Sequence, residues 1–111
     1  MPRPSYDSLP LARRVEVAPS AIDGQGVFAR VGIKKGAYIG TYEGAEAKRN
    51  GKYVLWLLGG GREVGRRGGN ELRFLNHADK PNAAFDGWDL YAAARIKKGE
   101  EITFNYEPEP E

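Results

Sequence analysis

Short runs of apolar and polar residues, separated by glycines, make up most of the chain. Residues 15–17 alternate as in a strand, and residues 27–31 and 37–42 are rich in β-branched and aromatic residues. Residues 46–58 begin either as a short helix or as a turn, and they continue as a buried strand from Tyr53. Hydrophobic periodicity alone does not distinguish the helix from the turn. Because helical periodicity is scarce, the pattern predicts a mainly β protein of several small sheets.

The second half of the chain contains the clearest hairpin signal. Two alternating aromatic runs flank Asp86-Gly87 in "AAFDGWDLYAAARI", and a final strand follows in "EITFNY". The segment before them, "GGGREVGRRGG" at residues 59–69, is so rich in glycine that its backbone is costly to order. We therefore expect a long loop there, around at most a two-residue bridge.

The two ends of the chain differ in composition from its middle. Residues 1–13 contain three prolines and predict an irregular arm, while residues 107–111, "EPEPE", predict an acidic tail. Residues 14–106 then form one domain. Inside it an Ile-Lys-Lys-Gly turn occurs twice, ending at Gly36 and Gly99, and two similar turns are as good an explanation as a true duplication.

Composition narrows the class of protein. The 111 residues include 41% hydrophobic and 29% charged residues, and no apolar run is long enough to span a membrane. The N-terminal sequence lacks the features of a secretory signal, so we expect an intracellular protein. With no cysteine, disulfides, thiolate nucleophiles and cysteine-ligated zinc are excluded. A net charge of +2 with scattered basic residues does not favour direct nucleic-acid binding.

His77, the sole histidine, is the first candidate for chemistry. Asp79 is the one acidic residue close to it in sequence, and no second histidine exists to complete a zinc set, so no metal site is predicted. A serine nucleophile would have to come from an early segment without a strained nucleophile turn. Gly24-Gln25-Gly26 lacks the third glycine of a dinucleotide motif and by itself indicates only a tight backbone.

Aromatic residues are the second candidate. Tyrosines, phenylalanines and tryptophans lie in or beside the predicted strands, where most of them are expected to form the core of a small domain. A subset lining an aromatic channel is the alternative.

Taken together, four segments resemble the SET-domain family of S-adenosylmethionine-dependent protein lysine methyltransferases, from about Val15 to Tyr106. Residues 24–29, "GQGVFA", are similar to its Gly-x-Gly opening, and residues 42–44, "YEG", to its Tyr-x-Gly element. Residues 73–77, "RFLNH", with Pro81-Asn82 resemble its Arg-Phe-x-Asn-His-Ser-Cys-x-Pro-Asn signature, and residues 101–106 its closing Glu-Leu-Thr-Phe-Asp-Tyr. Order and spacing agree, and the length resembles the smallest stand-alone viral and bacterial members.

The resemblance implies a SET-domain (β-clip) fold with a C-terminal pseudoknot, and S-adenosylmethionine as cofactor. The catalytic set would be Tyr106, Tyr42 and Tyr53, with Tyr106 beside the sulfonium. The cofactor would be held by Gly24, Gln25, Gly26, Arg73, Phe74, Asn76, His77 and Tyr106. The substrate channel would be lined by Tyr42, Tyr53, Phe85 and Phe104. His77 thereby moves from candidate base to the wall of the cofactor site.

The resemblance also implies a lysine-containing protein or peptide as substrate, with a histone tail among the candidates. Phenylalanine at position 104 implies di- or trimethylation. Ala78 and Asp79 replace the family's Ser and Cys, and Asn105 its Asp. Only "EPEPE" follows Tyr106, so Tyr6 or a second copy of the chain in a homodimer is expected to close the channel. We expect a cytoplasmic protein, or a nuclear one in a eukaryotic or eukaryotic-virus setting.

A non-catalytic β-clip binding module is the competing interpretation. Such modules share the architecture and have paired strands like those around the two Ile-Lys-Lys-Gly turns. They would have no need for Tyr106 or Asn76-His77.

Overall fold

The computed structural model describes residues 10–59 and 62–105, which form short strands and two short helices. In chain order these are α1 (Leu11–Arg14), β1 (Val15–Pro19), β2 (Gln25–Ala29), β3 (Tyr38–Thr41), β4 (Gly44–Ala47), β5 (Val54–Gly59), β6 (Arg62–Gly68), a 3-10 helix (Glu71–Phe74), β7 (Asn76–His77), β8 (Ala83–Asp86), β9 (Asp89–Ala92) and β10 (Glu101–Phe104). The prediction of a mainly β fold of several small sheets is confirmed.

The strands form three small sheets. The first has the order β1-β2-β10-β7, the second β3-β9-β8 and the third β4-β6-β5. Neighbours in the sheets are antiparallel except β7 and β10, which pair in parallel through Thr103 opposite Asn76 and Phe104 opposite His77. This parallel pair brings the third and fourth sequence motifs side by side.

Asn82 fastens the loop after β7 to β10. Its Nδ2 donates to the Glu101 carbonyl at 2.8 Å, and its Oδ1 accepts the Thr103 N–H at 2.8 Å. One side chain therefore satisfies two backbone groups of β10 that β7 leaves unpaired. These contacts support the predicted pseudoknot, which stays a prediction because its C-terminal part, residues 106–111, lies outside the described residues.

The two Ile-Lys-Lys-Gly turns occupy equivalent positions about a local two-fold. Ile33 and Ile96 form an antiparallel bridge and exchange N–H to carbonyl bonds of 2.8 and 2.9 Å. Each turn glycine donates to an alanine of the other copy, Gly36 to Ala92 at 2.7 Å and Gly99 to Ala29 at 2.8 Å. Both glycines have positive φ, 85° and 90°, as the sequence predicted. This symmetry agrees with both explanations, two similar turns and a true duplication.

The core lies where the three sheets meet. The fully buried side chains of largest volume come from the first two sheets, the 3-10 helix and the two Ile-Lys-Lys-Gly turns: Ile33, Ile39, Leu72, Leu90, Ile96, Ile102, Val15 and Val27. The third sheet adds the buried Leu55 to this core. Ile33 and Ile96 thus form both the bridge of the local two-fold and part of the core. The hydrophobic contacts that hold the sheets together also fix the relative position of the two turns.

The β8–β9 hairpin follows the prediction. Asp86 pairs with Asp89, so Gly87 and Trp88 form the two-residue turn. Gly87 has a φ of 61°, which a glycine adopts without steric cost at the first position of such a turn. The turn points Trp88 toward Tyr42, with the two rings stacked at a centroid distance of 6.3 Å.

The loop predicted for residues 59–69 is wrong. Residues 62–68 form β6, the central strand of its sheet, which pairs with β4 on one side and β5 on the other. Gly65 is needed for packing, because a Cβ there would lie 2.6 Å from Trp56 Cζ3 and 2.8 Å from the Ala47 carbonyl oxygen. Glycine in this segment permits close approach inside a sheet and does not mark a loop.

Two boundaries also differ from the prediction. The arm expected at residues 1–13 ends earlier, because α1 begins at Leu11 and a Cβ added to Gly40 would lie 2.8 Å from Leu11 Cδ1. Residues 44–47 form β4, so the short helix considered at the start of residues 46–58 is absent from that stretch. Residues 1–9 and the acidic tail, residues 107–111, lie outside the described residues.

Candidate active site

Two adjoining cavities lie beside the third motif, and one of them also reaches the first motif. The aromatic cavity has a volume of about 230 Å³ and is lined by Tyr42, Tyr53, Val54, Leu55, Leu72, Arg73, Leu75, Asn76, His77, Phe85 and Phe104. The polar cavity has a volume of about 430 Å³ and is lined by Asp23, Gly24, Gln25, Lys52, Tyr53, Arg73, Phe74, Leu75 and Asn76. Tyr53, Arg73, Leu75 and Asn76 line both, so the two cavities share one wall.

Edge-to-face aromatic contacts build the far side of the aromatic cavity. Phe85 lies between Phe104, at a centroid distance of 5.5 Å, and Tyr42, at 6.0 Å, nearly perpendicular to both rings. The buried Tyr42 donates its hydroxyl to the Tyr53 carbonyl at 2.5 Å. This geometry, favourable for aromatic quadrupoles, holds the three rings in fixed positions.

Arg66 on β6 supports this wall from behind. Its Nη1 donates to the Tyr42 carbonyl at 2.8 Å, and its guanidinium lies 4.4 Å from the centre of the Trp88 ring. Trp88 in turn stacks on Tyr42. The correct formation of β6 is therefore required for the position of a residue that the resemblance assigns to the substrate channel.

Tyr53 has an unusual backbone conformation at the wall between the cavities. Its φ of 67° is the one positive value found for a non-glycine residue within 10–59 and 62–105. Such a conformation costs roughly 1 to 3 kcal/mol for a bulky residue, and it persists where the surroundings impose it. Here the Tyr53 carbonyl accepts both the Tyr42 hydroxyl and, at 2.8 Å, the Gly68 N–H. The Tyr53 ring packs edge-to-face on Phe74 at 5.5 Å.

Arg73 forms the charged part of the shared wall. Its guanidinium lies 4.5 Å from the centre of the Phe74 ring and 5.9 Å from that of Tyr53. Its Nη1 also donates to the carbonyls of Gly69 and Asn70 at 3.3 and 3.2 Å. Arg73 is thus held by stacking and by backbone bonds, with Lys52 as a second cation of the polar cavity.

Asn76 connects the polar cavity to the glycine loop. Its Nδ2 lies 3.1 Å from the carbonyl oxygens of both Asp23 and Gln25. Gly24, between them, has a φ of 44°, and a Cβ there would meet nothing within 4 Å. Glycine at position 24 is therefore required by the backbone conformation and not by close packing.

The predicted site residues fall into four groups. Gly24, Gln25, Arg73, Phe74 and Asn76 line the polar cavity, and Tyr42, Tyr53, Phe85 and Phe104 line the aromatic one. Gly26 is buried beside Glu101 and lines neither cavity, whereas Tyr106 lies outside the described residues. His77 lines the aromatic cavity, not the polar one, with its side chain 48% exposed and its Nε2 3.4 Å from Asp79 Oδ1. The roles themselves stay predictions.

Several contributors were missed by the sequence reasoning. Lys52 and Asp23 directly precede motif residues and were open to inference from that position. Trp88, in the β8–β9 turn of the same sheet, and Arg66, in the third sheet, support Tyr42. Ser20 and Glu101 contact Asn76. Contacts between residues as distant in sequence as Ser20 and Glu101 leave no local signal in the sequence.

The described part of the chain contains neither a metal-binding cluster nor a membrane-spanning helix. Residues 10–59 and 62–105 contain no group of three or more His, Cys, Asp or Glu side chains arranged to hold a metal ion. No helix in the same ranges is long and apolar enough to cross a membrane.

Proteins that are similar to this chain in sequence include two histone-lysine N-methyltransferases. The chain is 31% identical to the histone-lysine N-methyltransferase MEDEA of Arabidopsis thaliana over 115 residues, 85% of this chain and 17% of that protein. It is 33% identical to the histone-lysine N-methyltransferase ash1 of Drosophila melanogaster over 118 residues, 86% of this chain and 5% of that protein. The chain thus spans only a small part of the length of these relatives.

A solved structure matches the fold. The methyltransferase domain of human histone-lysine N-methyltransferase SETMAR superposes with a TM-score of 0.73 at 23% identity, covering 83% of this chain and 44% of that one. The family model for the SET domain matches residues 24–107, which include all four motifs. The chain belongs to the SET-domain family.

Proposed function

We propose that this protein transfers a methyl group from S-adenosylmethionine to the ε-amine of a lysine in a protein. The observation that carries the proposal is the shared wall: four residues line both the polar and the aromatic cavity. Two reactants held on opposite sides of that wall would meet at Tyr53 and Asn76. Holding reactants in line contributes much of the rate of a displacement reaction.

The residues that line the polar cavity match the charged and aromatic groups of S-adenosylmethionine. Lys52 and Arg73 supply cations for a carboxylate, and the carboxylate of Asp23 suits an ammonium group. Phe74 adds an aromatic surface, and backbone groups of residues 24 and 25 are accessible because no bulky side chain covers Gly24. When bound, the cofactor supplies an electrophilic methyl group on a positively charged sulfur.

The aromatic cavity suits a lysine side chain. Apolar and aromatic side chains, including Leu72, Phe85 and Phe104, supply most of its lining. A lysine amine has a pKa near ~10.4 in water and must be neutral to attack; removal of water and a nearby positive charge both lower that pKa. The lining therefore favours the neutral form of the amine.

Individual roles follow the family pattern. We propose that the Tyr106 hydroxyl orients the amine and the transferring methyl, and that Tyr42 and Tyr53 line the lysine channel. Tyr42 is held by its bond to the Tyr53 carbonyl, so it contributes a fixed surface and not a mobile proton donor. Asn76 and the loop at residues 24–26 hold the cofactor, with His77 on the channel side of β7.

Replacing Phe104 with Tyr is expected to shift products toward monomethyl-lysine. Phe104 lines the aromatic cavity and packs on Phe85, and a hydroxyl on its ring would hold a water that reduces space around the amine. Mass spectrometry of a lysine peptide gives the product distribution. Phe28→Tyr, on a half-buried ring that lines neither cavity, is the matched control. An unchanged distribution in Phe104→Tyr would count against this role.

The names of the relatives support a proposal for the substrate class. MEDEA and ash1 are both named histone-lysine N-methyltransferases, so we propose a histone tail or another basic protein as substrate. Such a substrate places the protein in the nucleus in a eukaryotic or eukaryotic-virus setting and in the cytoplasm otherwise. We also propose that Tyr6 or a second copy of the chain completes the channel.

Calorimetry with S-adenosylmethionine, followed by transfer of a labelled methyl group to a mixture of basic proteins, tests the proposal. Binding and lysine-dependent labelling are expected. Absence of binding would favour a non-catalytic β-clip module, and binding without transfer to any lysine would indicate a methyltransferase fold that has lost activity. Either result would overturn the proposed function.

A further inference from the structure

A hydrogen-bonded cluster of Ser20, Asn76 and Glu101 lies behind the polar cavity. The Ser20 hydroxyl donates to Glu101 Oε1 at 2.7 Å, and Asn76 Nδ2 donates to Glu101 Oε2 at 2.8 Å. Asn76 Nδ2 also lies 3.0 Å from Ser20 Oγ. The three residues come from the β1–β2 loop, β7 and β10, so the cluster joins segments that are far apart in sequence. None of these bonds is exposed; all three are part-buried.

The number of protons on each polar group determines which atom donates in each of these hydrogen bonds. The Ser20 hydroxyl has one proton, which goes to Glu101, and its oxygen accepts the Ile22 N–H at 2.9 Å. Asn76 has two amide protons, of which one goes to Glu101 and the other faces the carbonyls of Asp23 and Gln25. Every group around Nδ2 is an acceptor, so Glu101, Ser20 Oγ and the two carbonyls together fix which way the Asn76 amide faces. Glu101 is the one carboxylate among these four acceptors and makes the shortest contact, 2.8 Å.

Glu101 also sets the path of the glycine loop. A Cβ added to Gly26 would lie within 2.3 Å of Glu101 Oε2 and 3.0 Å of Ser20 Cβ. The carboxylate therefore occupies the space that a side chain at position 26 would take. Gly26 does not line the polar cavity, and a side chain at this position would have to displace the Glu101 carboxylate.

We infer that Glu101 is a positioning residue for cofactor binding, acting through Asn76 and Gly26, with Ser20 as a bridge. Glu101 lines neither cavity and has no direct access to a bound molecule. Its charge-assisted bonds hold the Asn76 amide and the loop at residues 24–26 in the geometry that the polar cavity requires. This inference rests on the proposed function.

Replacing Glu101 with Gln tests the inference while keeping the side-chain shape. Gln presents an NH2 group in place of one acceptor oxygen, so either Ser20 or Asn76 loses its partner. The dissociation constant for S-adenosylmethionine, measured by calorimetry, is expected to rise about tenfold, the usual size of a lost hydrogen bond to a charged group. The KM for S-adenosylmethionine should rise by the same factor with kcat close to wild type. Ser20→Ala should raise the same two constants by a smaller factor.

A second measurement needs no cofactor and no turnover. The NMR resonances of the Asn76 side-chain amide are expected to move in Glu101→Gln, because the carboxylate bond is gone. Glu16→Gln, on the exposed side of β1 in the same sheet, is the matched control and should change neither the resonances nor the binding. If Glu101→Gln does not fold, Ser20→Ala decides the same question.

The outcomes separate this inference from the proposed function. Wild-type binding and turnover test the function, whereas the ratio between variant and wild type tests the role of Glu101. A variant with unchanged affinity, or one in which only the melting temperature falls, would overturn the inference and leave the function standing. A wild-type protein that does not bind S-adenosylmethionine would overturn both.

Discussion

Replacing Tyr106 with Phe is expected to reduce methyl transfer by at least about a hundredfold, the usual effect of removing one preorganised donor from an active site. The change removes the hydroxyl proposed to orient the lysine amine and keeps the ring. Affinity for S-adenosylmethionine should fall much less than the rate, because the aromatic ring is kept and the residues that line the polar cavity are unchanged. Single-turnover rates and calorimetry on the same preparation measure the two effects.

Tyr91→Phe is the matched control for this substitution. Tyr91 on β9 lines neither cavity and packs edge-to-face on Tyr38 at 5.7 Å, so its ring and not its hydroxyl carries the contact. This variant should transfer methyl groups at the wild-type rate. Comparable rates for Tyr106→Phe and Tyr91→Phe would remove Tyr106 from the catalytic set.

Replacing Gly44 with Ala is expected to destabilise the domain by about 3 kcal/mol or more, a loss typical of severe backbone strain. Gly44 has a φ of 156°, and an added Cβ would lie 1.6 Å from the Arg67 carbonyl oxygen. The clash involves backbone atoms, so β4 and β6 would have to separate. Thermal unfolding should show a decrease of at least about 10 °C in melting temperature.

Gly32→Ala provides the comparison. A Cβ at Gly32 meets nothing within 4 Å, and its φ is not in the region that disfavours side chains. The melting temperature of this variant should stay close to that of the wild type. If Gly44→Ala is equally stable, the close pairing of β4 with β6 in the structure is incorrect.

Local signals in the sequence were sufficient for much of the fold. The β8–β9 hairpin and the two lysine turns were predicted correctly, because Gly87, Gly36 and Gly99 each adopt a positive φ within a short segment. The final strand, β10, was also predicted. Strand β6 was missed because its glycines serve a different purpose. Gly65 lies against Trp56, and a Cβ at Gly68 would lie 2.5 Å from the Tyr42 hydroxyl. Those neighbours are known only once the three strands are paired.

The candidate site, like the fold, was predicted only in part. Motif residues such as Tyr42, Arg73 and Asn76 were identified from the sequence, and they line the two cavities. The support for them was not identifiable, because Glu101 and Ser20 reach Asn76 from other segments. The motifs identified most of the residues that line the two cavities, whereas the bonds that orient those residues depend on the tertiary structure.

Strain at Tyr53 could not be predicted either. Its φ of 67° is imposed by two donors that converge on its carbonyl, the Tyr42 hydroxyl and the Gly68 N–H. The sequence "GKYVLW" reads simply as a turn followed by a strand. The tertiary contacts place the Tyr53 ring where both cavities meet, and that position gives the residue its proposed role.

Locating a transferred methyl label on a peptide is the most direct test of methyl transfer to lysine. The purified protein is incubated with S-adenosylmethionine carrying a labelled methyl group and with a lysine-containing histone-tail peptide, and mass spectrometry locates the label. A control peptide has arginine at every lysine position. Labelled methyl groups are expected on lysine ε-nitrogens and not on the arginine peptide, and labelling by Tyr106→Phe is expected to be at least about a hundredfold weaker. Label absent from lysine in the histone-tail peptide and in a mixture of basic proteins, with the cofactor bound, would contradict the proposed methyl transfer.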